Sequence, residues 1–462
     1  MPDVRGNFDW GEARRRRASG ETDAIRDMWS NRPKLRNLRG GGNWRGVAGG
    51  HGHRQWQKPS KSPLEQPIGK LVAKITINTS TEKEGPSPKI TECELVGSYN
   101  WIDRQVPVIA IPGAPPKWTP LRHSIQLRED SGEFFRDQNS ARWPEYPMEP
   151  AIRAVFDRNP DFEGNKIDVV ACGGTLGHLL RFASSKSWDF QFGAHFIGET
   201  LFLVRKETTP KALIEGVHGY GHTFPEAYTS WDRSVKGSST SQRMVRYKFG
   251  GMTFMIRFET DGYLGDLATT NMGKDKDKTA VGQGSSEIID LLTQNVDGVT
   301  VSNRIQSKAT ILNVENAGFD VPQAAIFDLK TRTTNKEIDI NDVLPRLWAR
   351  QIPNLITAKH NRGRFDESDV EIRSVKQDID DWEEKNGKRL KQLSEVIHSL
   401  IEKLKKSKAK NLLVRRAEDG PLELWETADI SRSALPTNLA ALWKRAGEES
   451  DDEDGDDDYL LF

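Results

Sequence analysis

Charge in this chain is balanced in sum but segregated in position, and the segregation decides how much of the chain can build a core. Its 462 residues carry 67 Lys and Arg against 67 Asp and Glu. The ends are far from neutral. Residues 448–458, EESDDEDGDDD, place nine carboxylates in eleven positions, a run that repels itself and has nothing apolar to bury. Residues 1–60 hold thirteen Lys and Arg against six Asp and Glu, with Arg14, Arg15, Arg16 and Arg17 in a row and a glycine-rich stretch, RGGGNWRGVAGGHGHRQW, at 39–56. This reads as a disordered basic Arg/Gly-rich tail over 1–66, one folded domain over 67–445 and an acidic tail over 446–462.

With charge neutral overall and 35% hydrophobic residues, neither a strongly basic whole-chain field nor a membrane composition is present. Affinity for nucleic acid then has to come from local patches. The basic tail offers one: guanidinium groups suit phosphates, and the indoles of Trp44 and Trp56 can stack on bases. A solvated tail without function is the competing reading. Cys93 and Cys172 are the two cysteines, too few for a disulfide framework or a zinc knuckle, which suggests a reducing compartment. MPDVRGNFDWGEARRRR has no apolar stretch of signal-peptide type, and no run approaches 18 apolar residues. The expectation is a soluble intracellular protein with no membrane partner.

Between the tails the pattern alternates strand and helix signals. KLVAKITINT (70–79) reads as a strand, PVIAIPGAPPKWTP (107–120) as a short apolar strand running into a proline-rich loop, AIRAVFDRN (151–159) and GGTLGHLLRFA (173–183) as helices, and FQFGAHFIGETLFLVRKE (190–207) as two strands about a turn. PKALIEGVHGYGHTFPEAYTS (210–230) reads as a helix broken near its glycines, and MVRYKFGG with MTFMIRFETDGYL as a hairpin joined at Gly250-Gly251. The polar stretch 265–286 reads as a loop within a mobile insertion at about 265–300. VPQAAIFDLKTRT (321–333) reads as a buried strand, VLPRLWARQIPNLITAK (343–359) as one helix, and RLKQLSEVIHSLIEKLKK (389–406) as an amphipathic helix.

Two fragments carry chemistry. In Phe258-Glu259-Thr260-Asp261 the two-residue period of a strand puts both carboxylates on one side of an apolar run, where they repel unless a cation stands between them. In Ile326-Phe327-Asp328-Leu329-Lys330 an acid and a lysine share a face of a strand expected to be central. Strand-end charges facing solvent would give the same letters. Together the fragments resemble the E-x-D … D-x-K arrangement of PD-(D/E)xK phosphodiesterases, in which acids hold a divalent metal and the lysine offsets phosphate charge. Other patterns are weaker: His218 and His222 have a zinc-like spacing without a third ligand, Cys172 reads as packing, and the glycines at 39–43 lack a P-loop's context.

Taken in order, the motifs of residues 150–430 resemble the decapping exoribonuclease (DXO) family of 5′-end quality-control enzymes. Gly221-His222-Thr223-Phe224-Pro225-Glu226 is similar to the family's G-Φ-x-Φ-E with one extra residue, Glu259-Thr260-Asp261 to its E-Φ-D, and Asp328-Leu329-Lys330-Thr331 to its E-L-K-T strand. The stretch 347–356 resembles its tryptophan-glutamine helix through Trp348 and Gln351. DVVACGGTLGHLL (168–180) resembles the first motif with Gly173 in place of an arginine that contacts substrate phosphate, and the 66 residues between Asp261 and Asp328 exceed the family's gap.

The resemblance implies an α+β fold, a mixed, bent β-sheet core of PD-(D/E)xK type flanked by helices. It implies Mg²⁺ or Mn²⁺ held by Glu226, Asp261 and Asp328, with Glu259 acting through a metal-bound water and Lys330 and Gln351 positioning nucleophile and phosphate. RNA contacts would come from Gln351 and Arg14 to Arg17. The function so implied is metal-dependent hydrolysis at RNA 5′ ends, by decapping or pyrophosphohydrolysis, with 5′–3′ degradation in some members, in nucleus or cytoplasm and beside a 5′–3′ exoribonuclease partner. The alternative is a catalytically weakened relative that binds RNA ends or a partner nuclease.

Overall fold

The computed structural model describes residues 69–77, 85–272, 311–417, 419–427 and 433–445. All belong to one unit, Gln57–Phe462. Arg14 to Arg17, the acidic tail and most of the expected insertion lie outside the described residues.

The chain makes two mixed sheets. In spatial order the larger runs β1 (Leu71–Ile75), β19 (Leu422–Glu426), β18 (Asn411–Arg416), β7 (Phe190–Ile197), β8 (Thr200–Arg205), β6 (Val169–Cys172), β11 (Met252–Thr260), β10 (Ser238–Phe249), β2 (Thr91–Ile102), β3 (Val108–Gly113) and β13 (Asn313–Gly318). The smaller runs β17 (Val370–Ser374), β15 (Asn354–His360), β14 (Ile326–Thr333), β12 (Gly262–Tyr263), β4 (Lys117–Trp118) and β9 (Thr229–Ser230). A further pair joins β5 (Ile125–Gln126) to β16 (Arg364–Phe365). The β10–β11 hairpin turns at Gly250 and Gly251, whose φ values of 58° and 78° suit a tight two-residue turn without steric cost.

The helices are α1 (Gln138–Arg142), α2 (Glu149–Arg158), α3 (Gly173–Ala183), α4 (Thr223–Tyr228), α5 (Gly265–Met272), α6 (Leu344–Arg350), α7 (Lys376–Lys385), α8 (Gly387–Lys406) and α9 (Thr437–Arg445). They cover both faces of the larger sheet, as the strand period requires. Val169 and Ala171 of β6 pack in one core with Leu176 and Leu180 of α3, Leu347 of α6 and Leu393 and Ile397 of α8. Val170, between them, joins a second core with Ile152 and Val155 of α2 and Trp443 of α9. A third, aromatic cluster, Trp118, Phe224, Tyr228, Phe327 and Phe365, packs with the smaller sheet. The α+β class with mixed sheets and flanking helices is therefore the observed one. No helix among the described residues is long and apolar enough to cross a membrane.

Three local expectations are corrected. The helix expected over 343–359 stops at Arg350; Gln351 turns left-handed with φ 52°, and Asn354–His360 becomes a strand. Pro353 explains the break, since it offers no N–H to a helix and pushes the preceding residue toward extended backbone. In 210–230 the helix is confined to α4, followed by the short β9, because Gly216 and Gly219 take φ of 63° and 97°. The loop expected from 265 begins as a helix, α5.

Candidate active site

The site forms where the chain leaves one sheet for the other. β6 and β11 run parallel with Cys172 beside Arg257, so both end on the same edge. β6 turns into α3, while β11 ends at Thr260 and the chain crosses at Asp261 to β12, which pairs Gly262 with Phe327 and Tyr263 with Ile326 of β14. That crossing brings the Glu259–Asp261 fragment against Asp328: Asp261 Oδ2 accepts a hydrogen bond from Leu329 N at 2.7 Å. β14 lies between β12 and parallel β15, and Asp328 is 4% exposed.

A pocket of about 490 Å³ opens over this junction. Glu259, Asp261 and Asp328 line it together with Lys330, Arg332, Arg346 and Arg350. The two-residue alternation of strands accounts for five of these groups, Glu259, Asp261, Asp328, Lys330 and Arg332. Arg346 and Arg350 come from α6, one helical turn apart. Arg346 forms an ion pair with Asp328 through Nη2 and Oδ2.

Burial, with mutual repulsion second, marks the acids. Burial, then the charge of Asp261, pushes the Glu259 carboxyl up to about 7, against the pull of Arg350 and a 3.4 Å hydrogen bond from Gln242 Nε2. Glu259 keeps solvent access through the pocket mouth, while the protein around it is densely packed. Asp261 is likewise held above the ordinary carboxylate range, first by burial and then by Asp328, with Arg346, the Leu329 N–H and Lys330 opposing. Burial and the neighbouring Arg346 pull Lys330 below the usual lysine range, against Asp328 and Asp261.

Glu226 does not join these acids. It is exposed on α4 and does not line the pocket, although Gly221 and Pro225 do. The start of α4 is fixed instead by Asp130, whose carboxylate accepts from His222 N and from Thr223 N at 2.9 Å and Oγ1 at 3.0 Å. Among the described residues no three His, Cys, Asp or Glu side chains converge as a metal-binding group, so the set Glu226, Asp261 and Asp328 does not form. Gln351 is also outside the pocket lining; its Nε2 donates to Trp348 O at 2.8 Å. His222 stacks on Phe134 with ring centres 3.7 Å apart. Cys172 is buried and free, as its apolar setting suggests.

Asp261 and Asp328 supply the hard oxygens that Mg²⁺ or Mn²⁺ prefers, and Asp261 is short of compensating charge. The residues present therefore fit a cation held by two carboxylates and completed by water and a substrate phosphate, provided that Arg346 yields an Asp328 oxygen. A site closed by three carboxylates is not what they form.

Sequence reasoning missed Arg332, Arg346 and Arg350. Arg332 continues the Asp328–Lys330 face by one more strand period, and the four-residue spacing of Arg346 and Arg350 sets both on one helix face. Those signals were available.

A family model described as Domain of unknown function (DUF8563) matches residues 72–442. No curated protein matches the sequence. Among solved structures the chain is similar to Rai1 of S. pombe, with 9% identity and a TM-score of 0.47 over 74% of this chain and 96% of that one. It is similar to Scheffersomyces stipitis Rai1 in complex with (3′-NADP)+ and calcium, with 10% identity and a TM-score of 0.48 over 83% and 99%. It is also similar to Candida albicans Rai1 in complex with pU5-Mn²⁺, with 10% identity and a TM-score of 0.47 over 83% and 100%. At those scores none of the three decides an activity, which has to be read from this chain's own residues.

Proposed function

Because this chain belongs to the family described as Domain of unknown function (DUF8563), we propose from its site that it is a divalent-metal-dependent hydrolase of phosphate bonds at RNA 5′ ends. One observation carries the reading: a single open pocket joins the paired carboxylates Asp261 and Asp328 to Lys330 and to the arginines of α6. Acids alone would suit a cation and basic groups alone an anion. Both together suit a phosphate ester undergoing attack.

Asp261 and Asp328 would hold the cation, which when bound supplies Lewis acidity toward a phosphoryl oxygen and acidifies water. Glu259 takes the proton of the attacking water, its carboxyl titrating near neutral pH. Lys330 and Arg346 offset charge as it grows on the phosphoryl oxygens. The motifs similar to those of the DXO family support RNA ends as the substrate class.

A second reading, an RNA-end binder without turnover, is favoured by the ion pair of Arg346 with Asp328 and by Glu226 standing outside the pocket. Product release from 5′-monophosphate, 5′-triphosphate and capped RNA with Mn²⁺ separates the two. Hydrolysis by the wild type that disappears in Lys330→Met supports the enzyme. Binding without hydrolysis on every such end supports the binder.

A further inference from the structure

Residues 403–410, KLKKSKAK, hold five lysines in eight positions and no acid. They close α8 and lead into β18, and Phe196 N donates to Lys410 O at 3.0 Å, which ties the segment to the end of β7. The turn between β7 and β8, Gly198-Glu199, is where the basic groups meet. Lys405 Nζ donates to Glu199 Oε2 at 2.6 Å, and Lys405 together with Lys410 holds that carboxyl below the usual range. α9 arrives from the other side: a Cβ on Gly198 would stand 3.3 Å from Lys444 Cγ, and Trp443 Nε1 donates to Thr200 Oγ1 at 2.9 Å.

This surface is short of negative charge. Glu199 pairs with Lys405 and Glu402 with Lys406, while among the described residues Lys403, Lys408 and Lys444 form no ion pair. Lys405, Lys406, Lys408, Lys410 and Lys444 are exposed. The surface is also remote from the pocket. β8 runs parallel to β6 with Leu201 beside Val169, so the Gly198-Glu199 turn lies where β6 begins, whereas the acids of the pocket lie past the end where β6 and β11 finish.

Charge and chain continuity name the occupant. α9 ends at Arg445, and the chain continues into residues 446–462, outside the described residues, with nine carboxylates between Glu448 and Asp458. At about 3.5 Å per residue the first of these lies within ~11 Å of Arg445. So short a tether presents the acids to the lysines at a roughly millimolar effective concentration. An RNA strand or a second protein would have to compete with that from solution.

We propose that the acidic run Glu448–Asp458 docks on the basic surface formed by residues 403–410 and Lys444, as a contact within one chain. It involves no pocket residue, so it stands or falls apart from the hydrolase reading.

Carbodiimide cross-linking of the full-length protein tests the contact, because the reagent joins carboxylates to amines where they touch. At about 20 mM salt, peptides from 448–458 should be joined chiefly to Lys403, Lys405, Lys406, Lys408 or Lys410 of the same chain, and the yield should fall at least about fivefold at ~0.5 M salt. Joining chiefly to Lys34, Lys58 or Lys61 overturns the proposal in favour of the basic N-terminal stretch. Joining between chains, or no joining of the acidic run, also overturns it.

A binding measurement gives a second readout. In a full-length variant whose nine carboxylates at 448–458 are changed to amides, a synthetic peptide of residues 446–462 should bind about tenfold more tightly than to the wild type, whose surface is already covered. Adding Lys405→Glu, Lys408→Glu and Lys410→Glu should remove that gain, with folding checked by thermal melts. A gain that survives the three changes places the contact elsewhere and overturns the proposal. An amide variant that binds pentauridylate through these lysines but does not bind the peptide gives the surface to nucleic acid and overturns it as well.

Discussion

Two clusters of acid and arginine flank the same strand, β11, and behave in opposite ways. Asp137 is 5% exposed, and burial alone would raise its carboxyl. Arg257, Arg205 and hydrogen bonds from Asn139 N at 3.0 Å and Ser140 Oγ at 3.2 Å instead hold it below the usual carboxylate range. Glu259 and Asp261, just beyond Arg257 in sequence, are pushed up first by burial and then because each faces another carboxylate. A satisfied buried acid reinforces the fold. Acids that face one another in an open pocket weaken it, and such a cost persists where function needs it.

Breaking the first cluster should produce the largest effect. Asp137→Ala removes the carboxylate that faces buried Arg257, while Arg205 keeps its ion pair with Glu207, and should cost about 3–5 kcal/mol of stability, read as a lower urea midpoint. The protein still folded should hydrolyse RNA near the wild-type rate. A midpoint within error of wild type would mean that the two clusters do not differ as described.

In the pocket the balance reverses. Asp328→Asn and Lys330→Met should each lower Mn²⁺-dependent hydrolysis of 5′-triphosphate RNA by about 10²–10³ with the melting temperature held near that of wild type. A comparable loss of stability in either variant would make these residues structural, like Asp137.

Acid tests burial away from both clusters. Burial, then Arg181 and Arg205, pushes His178 down to about 3. Burial also pushes His195 down to about 4, with Asn411 opposing and Lys206 assisting. Both are neutral in the fold at pH 7, whereas the unfolded chain takes up protons below about pH 6.5. Stability should therefore fall between about pH 6.5 and 4, by roughly 1 kcal/mol per pH unit for each histidine after allowance for partial exposure. His178→Phe should flatten the slope of unfolding free energy against pH over that range, and an unchanged slope would assign it to other groups.

The smallest effect sharpens the contrast most. Asp261→Asn removes a carboxylate whose folded value lies above its unfolded one, so without metal it should stabilise the protein by roughly 0.5–1 kcal/mol at pH 7. The same change should abolish the rise in melting temperature that Mn²⁺ gives the wild type through mass action. Equal Mn²⁺ responses in the two proteins would remove Asp261 from the cation site.

Legibility in the sequence followed the range of the interaction. The extent of α3, Gly173–Ala183, and most of α8 were readable because a helical face is written within a few turns. The β10–β11 hairpin was readable from Gly250-Gly251. The stretch 343–359 was not, because its apolar spacing suits a buried helix and a buried strand alike, and Pro353 decides between them. Glu226 stands apart for a related reason: its motif matched in letters with one residue too many, and on α4 it is exposed and is not among the residues that line the pocket.

The sequence alone determined which side chains fall one strand period apart: Glu259 at the end of β11 and Asp261 just past it, Asp328 and Lys330 within β14. Those relations follow from a two-residue period and need no knowledge of neighbours. Tertiary structure decided that the two faces meet, since the meeting depends on the chain crossing between sheets at Asp261 and pairing β12 with β14. It also decided that Arg346 and Arg350 would look onto the acids and that Arg350 would rest on Gly173. Contacts across such separations are fixed by how sheets and helices pack, which no local pattern of residues encodes.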